Sequence, residues 1–208
     1  MGIPERKERE KEQRKNDIID AAERVFFNKG FDAATVDEVA AEAELSKGTL
    51  YLYFKSKEDL HFAISMRGMD ILNKLIREKY KEKRSGADNI LEFGKAYVRF
   101  TRDYKNYFKS IMIFDSSKID KVDISQKMKI MEPDSPLNFF IEVLDKGKKD
   151  GSVRKDIPSK QLAFILWTQI TGVLQFIVLR HQMIEMLGFK PEDLILNQFK
   201  VLLKGIVN

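Results

Sequence analysis

Cysteine is absent from this 208-residue chain, so the sequence offers neither a disulfide framework nor a thiolate metal site. Histidine is scarce: His61 and His181 stand alone, with no cluster of Asp, Glu or a third histidine beside them. A metal centre or a catalytic triad therefore has nothing to assemble from. The sequence leads us to expect no metal site, no catalytic residues and no cofactor. A P-loop and a G-x-G-x-x-G turn are also missing, which argues against an enzyme. The first 15 residues, MGIPERKEREKEQRK, hold no apolar run and do not read as a secretory signal. Arg6 stands where a myristoylation signal needs Ser or Thr. The expected location is cytoplasmic. No segment alternates convincingly with period two and no repeat is visible, which leaves an all-α chain.

What is present is charge, unevenly distributed. The net is +5 overall, yet residues 1–60 hold 11 Lys/Arg against 14 Asp/Glu, a net of −3, and residues 61–208 carry +8. Between Leu45 and Lys57 the balance reverses, with Lys47, Lys55 and Lys57 and no acid. Electrostatic attraction reaches about one Debye length, ~8 Å at physiological salt, so this local patch matters more than the total.

That patch sits inside the most informative stretch, Thr35–Leu60. Thr35 and Glu38 form a capping box that starts a helix at Val36. Val36, Val39, Ala40 and Ala43 then form one apolar stripe. Glu44 and Leu45 make a turn, with Leu45 entering the core. Ser46 caps a second helix from about Lys47 to Tyr53, with Leu50 and Phe54 as its buried anchors. Ser56, with Glu58 and Asp59 behind it, opens a third. Upstream, Ile18, Ala22, Val25 and Phe26 form a stripe that ends at Gly30, with Phe31 folding back on Phe26. Helices at about 17–29, 36–43 and 47–53 would close a small core. Ser46, Lys47, Thr49, Tyr51 and Tyr53 are residue types that touch phosphates or base edges. The pattern is a helix-turn-helix, at about 35–54, and it points to double-stranded DNA.

Gly30-Phe31, Thr35-Val36, Val39-Ala40, Ser46-Lys47-Gly48-Thr49-Leu50-Tyr51, Tyr53-Phe54 and Lys57-Glu58-Asp59-Leu60 together resemble the DNA-binding domain of TetR/AcrR-type transcriptional regulators. The likeness covers roughly residues 17–62. It implies an all-α homodimer: an N-terminal helix-turn-helix domain and a C-terminal helical domain that binds a small effector and dimerises. We place the division at 1–56 and 57–208. One departure is Glu44, where the family usually has Gly or Asn; positive φ strains other residues.

Among the DNA-facing residues, Thr35, Tyr51, Tyr53 and Lys57 are expected to hold phosphates, with Ser46 and Lys55 beside them. Lys47, Gly48 and Thr49 are expected at the base edges. The charged tract Glu5–Lys15 is read as a solvated extension of the first helix, or as an arm whose Arg14 or Lys15 reaches phosphate.

Further helices are expected over 57–83, from Asp88 through Tyr104, over 106–114, 137–150 and 160–187, and from Pro191 onward. The polar segment 115–136 reads as a loop or a weakly helical gate. Leu162–Leu179 approaches membrane-spanning length. Its inner Thr168, Gln169, Thr171 and Gln175 favour a helix buried between its own domain and a twin chain, with no membrane involved. Gly172, Ile195, Phe199, Leu202 and Ile206 are the expected dimer face. Tyr97, Phe100, Phe114, Phe139 and Trp167 are the candidate walls of an effector pocket, with Thr168, Thr171 and Gln175 as its polar groups. The expected mechanism is a homodimeric repressor released from a pseudo-palindromic operator by a hydrophobic or amphipathic ligand. The competing possibility is a ligand-binding or interaction module with little specific DNA binding.

Overall fold

Local capping sets the N-terminal helices. The computed structural model describes residues 3–114, 122 and 135–207. Among these, ten segments are helical and none is a strand. The first helix, α1 (Ile3–Lys29), stops at Gly30, whose φ of +82° suits glycine alone. Phe26 and Phe31 meet edge-on across that stop, ring centres 5.6 Å apart. The helix starts well before residue 17, so the charged tract is helical, and side chains 5–14 are exposed.

The second helix, α2 (Val36–Glu42), opens with the full capping box. The Thr35 N–H donates to the Glu38 carboxylate at 2.9 Å, and the Glu38 N–H donates to Thr35 Oγ1 at 3.2 Å. It closes in a Schellman turn. The Leu45 N–H donates to the Ala40 carbonyl and the Glu44 N–H to the Ala41 carbonyl. This geometry forces Glu44 to φ +55°, the one positive φ outside glycine among the described residues. Ser46 then caps α3 (Lys47–Tyr53) by accepting the Thr49 N–H at 3.1 Å. Leu50 and Phe54 are fully buried, each stabilising by about 2 kcal/mol. Leu45 is half-buried.

The long helix α4 (Lys57–Lys79) begins where the Asp59 N–H donates to Ser56 Oγ at 3.0 Å. It stops four residues short of the expected end. The fully buried Asn89 explains this: its amide accepts from the Lys81 N–H and donates to the Lys81 and Arg84 carbonyls, which replaces helical bonding. Residues 3–66, with Phe114 and Val122, form one compact unit; residues 67–113 and 135–207 form the other. The division falls inside α4 rather than before it. Leu60, Phe62 and Ile64, all buried, belong to the first unit and carry its core past residue 56.

The second unit contains the rest of α4 together with α5 (Gly86–Asp103), α6 (Lys105–Ile113), α7 (Pro136–Asp150), α8 (Ser159–Leu179), α9 (His181–Met186) and α10 (Pro191–Ile206). Helix α5 packs on α6, α7 and α10. Its start lies so close to α7 that a Cβ on Gly86 would stand 2.3 Å from Gly147 Cα. There the Gly86 N–H donates to Asp150 at 2.8 Å and the Ala87 N–H to Ser152 Oγ at 3.1 Å. The single helix expected over 160–187 is broken at Arg180 (φ −122°, ψ +30°), and the turn buries Ile184. The expected loop or gate at 115–136 lies outside the described residues save Val122, Ser135 and Pro136.

Candidate functional site

The two anchors of α3 decide what the helix shows. Leu50 and Phe54 turn inward at i and i+4, which turns Lys47, Gly48, Tyr51 and Leu52 outward, followed by Lys55. Gly48 is open: a Cβ there would meet only Ser46 Oγ, at 3.8 Å. Tyr51 is 37% exposed, while Thr49 and Tyr53 are half-buried. Thr35 is exposed, but its hydroxyl is committed to the cap of α2. The Ser46 and Thr49 hydroxyls bond each other at 2.8 Å.

Each of the three lysines holds a partner. Lys47 pairs with Asp37 at 2.7 Å; the hydrogen bond that Lys47 donates to the Asp37 carboxylate, with that group's charge, raises the Lys47 ammonium above its ordinary value. The pair is exposed on both sides, so it exchanges readily for a phosphate. Lys55 donates to the Tyr51 carbonyl at 3.1 Å. Lys57 donates to the Asp32 carbonyl at 3.1 Å and lies 4.4 Å above the Phe31 ring. Lys15 lies 5.8 Å from the Phe54 ring centre.

Two residues of this surface escaped the sequence reading. Asp37 engages Lys47. Leu52, 75% exposed, is a large apolar side chain in a polar neighbourhood, suited to a thymine methyl. The signal was available, since two residues beyond Leu50 is the opposite side of a helix.

The second unit holds an apolar cavity of about 50 Å³ lined by Met69, Ile76, Phe93, Tyr97, Pro136, Leu137, Phe140, Trp167, Ile170 and Phe199. Tyr97 and Trp167 were expected there; the other expected walls are not among its lining. Phe100 and Phe139 are packed in the core. Phe114 belongs to the first unit, against His61 (5.3 Å) and Phe62 (5.6 Å). The expected polar groups lie elsewhere as well. Thr168 is exposed and donates to the Ile165 carbonyl, Gln175 donates to the Met112 carbonyl at 3.4 Å, and Thr171 is half-buried outside the lining. Other side chains line the space instead, because the cavity forms where α4, α5, α7, α8 and α10 converge.

The expected dimer face needs a larger correction. Ile195, Phe199 and Ile206 are 1%, 2% and 4% exposed within a single chain. Phe199 fills the space left by Gly94, where a Cβ would stand 2.6 Å from its ring. These three residues are core and unavailable to a second chain. Leu202 is half-buried. Gly172 is exposed, with nothing within 4 Å of an added Cβ. Helix α8 is long and apolar enough to cross a membrane by length and composition, with a third of that window buried. It packs on α6, α7 and α10 through Leu162, Leu166, Ile170, Leu174 and Ile177, and leaves Phe164, Phe176 and Leu179 exposed.

Comparison with known proteins bears on this arrangement. Residues 18–64 match the family described as bacterial regulatory proteins, tetR family. The chain is 23% identical over 193 residues to the fatty acid metabolism regulator protein of Bacillus subtilis, covering 92% of this chain and 94% of that one. It is 25% identical over 120 residues to the HTH-type transcriptional activator FasR of Mycolicibacterium smegmatis, covering 58% of this chain and 54% of that one. This second match thus spans about half of the relative's length. In fold the chain is similar to Thermus thermophilus FadR, a TetR family transcriptional repressor solved in complex with lauroyl-CoA. The TM-score is 0.69 at 18% identity, over 93% of this chain and 95% of that one. The matched segment falls on the capped α2–turn–α3 unit, so residues 18–64 form a helix-turn-helix domain of the tetR family of bacterial regulatory proteins.

Proposed function

We propose that this regulator is a homodimeric repressor, released from a pseudo-palindromic operator by an aliphatic acyl thioester. The observation that carries the DNA half is the presentation of α3: two buried anchors behind, and Lys47, Gly48, Tyr51, Leu52 and Lys55 in front. Lys47, Gly48 and Thr49 then meet base edges, with Leu52 against a thymine methyl. Thr35, Ser46, Tyr51, Tyr53, Lys55 and Lys57 hold phosphates and set register. A dimer presents two such helices to half-sites about one helical turn apart, ~34 Å, or a multiple of it.

A second copy of the chain covers Phe164, Phe176 and Leu179, with Gly172 on the same face admitting a close helix. These side chains are 46–63% exposed in one chain, and a helix apolar on both sides is stable only when both are covered. The protein acts in the cytoplasm, with no membrane partner.

The wholly hydrocarbon character of most of the cavity supports an aliphatic ligand. The acyl-CoA complex of the Thermus protein and the fatty-acid role named for the Bacillus relative support an acyl thioester. Each buried methylene contributes about 0.8 kcal/mol. A chain of a dozen carbons exceeds the cavity's 50 Å³, so it binds a widened form and draws the population toward it. Met69 and Ile76 of α4 line the cavity, and the same helix begins in the DNA-facing unit.

The test is selection of DNA from a random pool by purified protein at physiological salt, with and without lauroyl-CoA. An inverted repeat is enriched without the ligand and lost with it. A folded dimer that enriches nothing under either condition overturns the DNA reading and favours a ligand-binding module.

A further inference from the structure

The polar lining of the cavity is of one kind. Of its ten described lining residues, only Tyr97 and Trp167 carry a side-chain oxygen or nitrogen. The indole N–H is a donor alone, and a phenol donates as well as accepts. Neither group is hydrogen-bonded to any described residue. Tyr97 is engaged by the Phe199 ring, 5.8 Å away, and burial pushes its phenol up to about 12, so it keeps its proton at neutral pH. Both residues are half-buried, so their polar groups are open to a ligand that enters the cavity.

The other half of the observation is the lack of charge. Among the described residues no Lys, Arg, His, Asp or Glu lines the cavity. The nearby guanidinium groups are engaged elsewhere: Arg77 lies over the Phe139 ring at 4.1 Å, and Arg99 is paired with Glu78 and Asp103. A carboxylate entering this space would lose its water and gain no counter-charge. A plain hydrocarbon would leave both donors without an acceptor.

We infer that Tyr97 and Trp167 select a neutral carbonyl set in an aliphatic chain, that of an ester or thioester, against the free carboxylate and against a chain with no acceptor. This rests on the ligand reading above and adds to it the group that is recognised at the polar end. Tyr97 is the specificity-determining residue, because its hydroxyl can be removed without changing the ring.

Trp167 is the only tryptophan in the chain, so its fluorescence reports occupancy of the cavity directly. Full-length protein is titrated with dodecanoyl-CoA, with its thioether S-dodecyl-CoA, which lacks the carbonyl alone, and with dodecanoate. The thioester binds about tenfold tighter than the thioether, the size of one net hydrogen bond, and dodecanoate binds more weakly than the thioester. Tyr97→Phe lowers thioester affinity several-fold, leaves the thioether unchanged and so narrows the gap between them. Equal binding of thioester and thioether by the wild type overturns the inference while leaving the ligand reading standing; that comparison decides the matter even if the variant is unstable. A Tyr97→Phe variant that unfolds at the wild-type temperature and keeps the full gap also overturns it. No fluorescence response to either CoA compound overturns the ligand reading, and this inference with it.

Discussion

Glu44 shows how much one residue can be made to bear. Its φ of +55° follows from the Schellman turn that joins α2 to α3, and left-handed backbone costs a residue with a Cβ about 1–2 kcal/mol. Glu44→Gly is expected to raise the midpoint of thermal unfolding by a few degrees, the relief of strain exceeding the entropy lost to glycine. It also removes an acid from the turn, so DNA binding tightens in the same variant. At Asp37 the expected effect is on DNA binding rather than on stability. Asp37→Asn frees Lys47 and deletes a charge that repels phosphate. We expect operator affinity to rise about threefold at low salt, measured by fluorescence anisotropy, and the gain to shrink as salt increases.

At the scale of elements, the caps and the close helix contacts carry testable weight. Glu38 closes the capping box, and its carboxylate is held below the ordinary value of 4.5 by the Lys29 ammonium and the Thr35 N–H. A carboxyl depressed in the folded state adds stability that is complete above its unfolded value and lost as pH falls through the folded one. The wild type is therefore more stable than Glu38→Gln at pH 6, and the difference between their unfolding midpoints closes as pH drops below about 4.5. The α5–α7 contact is less forgiving. A methyl on Gly86 would collide with the Gly147 backbone at 2.3 Å, and backbone cannot swing aside as a side chain can. Gly86→Ala should lose about 3 kcal/mol in urea unfolding. Gly172→Ala, with nothing within 4 Å inside the chain, leaves the stability of the protomer close to unchanged.

For the whole molecule, the decisive question is what covers the outer face of α8. Phe176 is 46% exposed in one chain while its neighbours Leu174 and Ile177 are buried. Phe176→Glu is expected to give monomers by light scattering at micromolar concentration while the helical content is retained. Operator binding then falls by more than tenfold, because each monomer offers a single recognition helix. A Phe176→Glu protein that remains dimeric would move the interface elsewhere.

The features legible in the residues were those closed within a few positions: the Thr35–Glu38 box, the Ser46 and Ser56 caps, the stop at Gly30, and the positive φ at position 44. Their interactions span at most one or two turns, so the local sequence contains both partners and by itself determined the helix-turn-helix and its inward anchors. The later part of the chain read differently. Ile195, Phe199 and Ile206 show a 3/4-spaced apolar stripe that looks the same whether it meets its own core or another chain, since hydrophobic attraction has no direction. The stop of α4 at Lys79 depends on Asn89, ten residues away, and the break at Arg180 on covering Ile184. Where the cavity lies was equally beyond local pattern, because five helices converge to define it and the aromatic residues nearest in sequence were consumed by packing. Only the tertiary structure decided which apolar groups face inward, which pair of donors they enclose, and which face of α8 remains open, because those outcomes follow from the competition of distant side chains for the same volume.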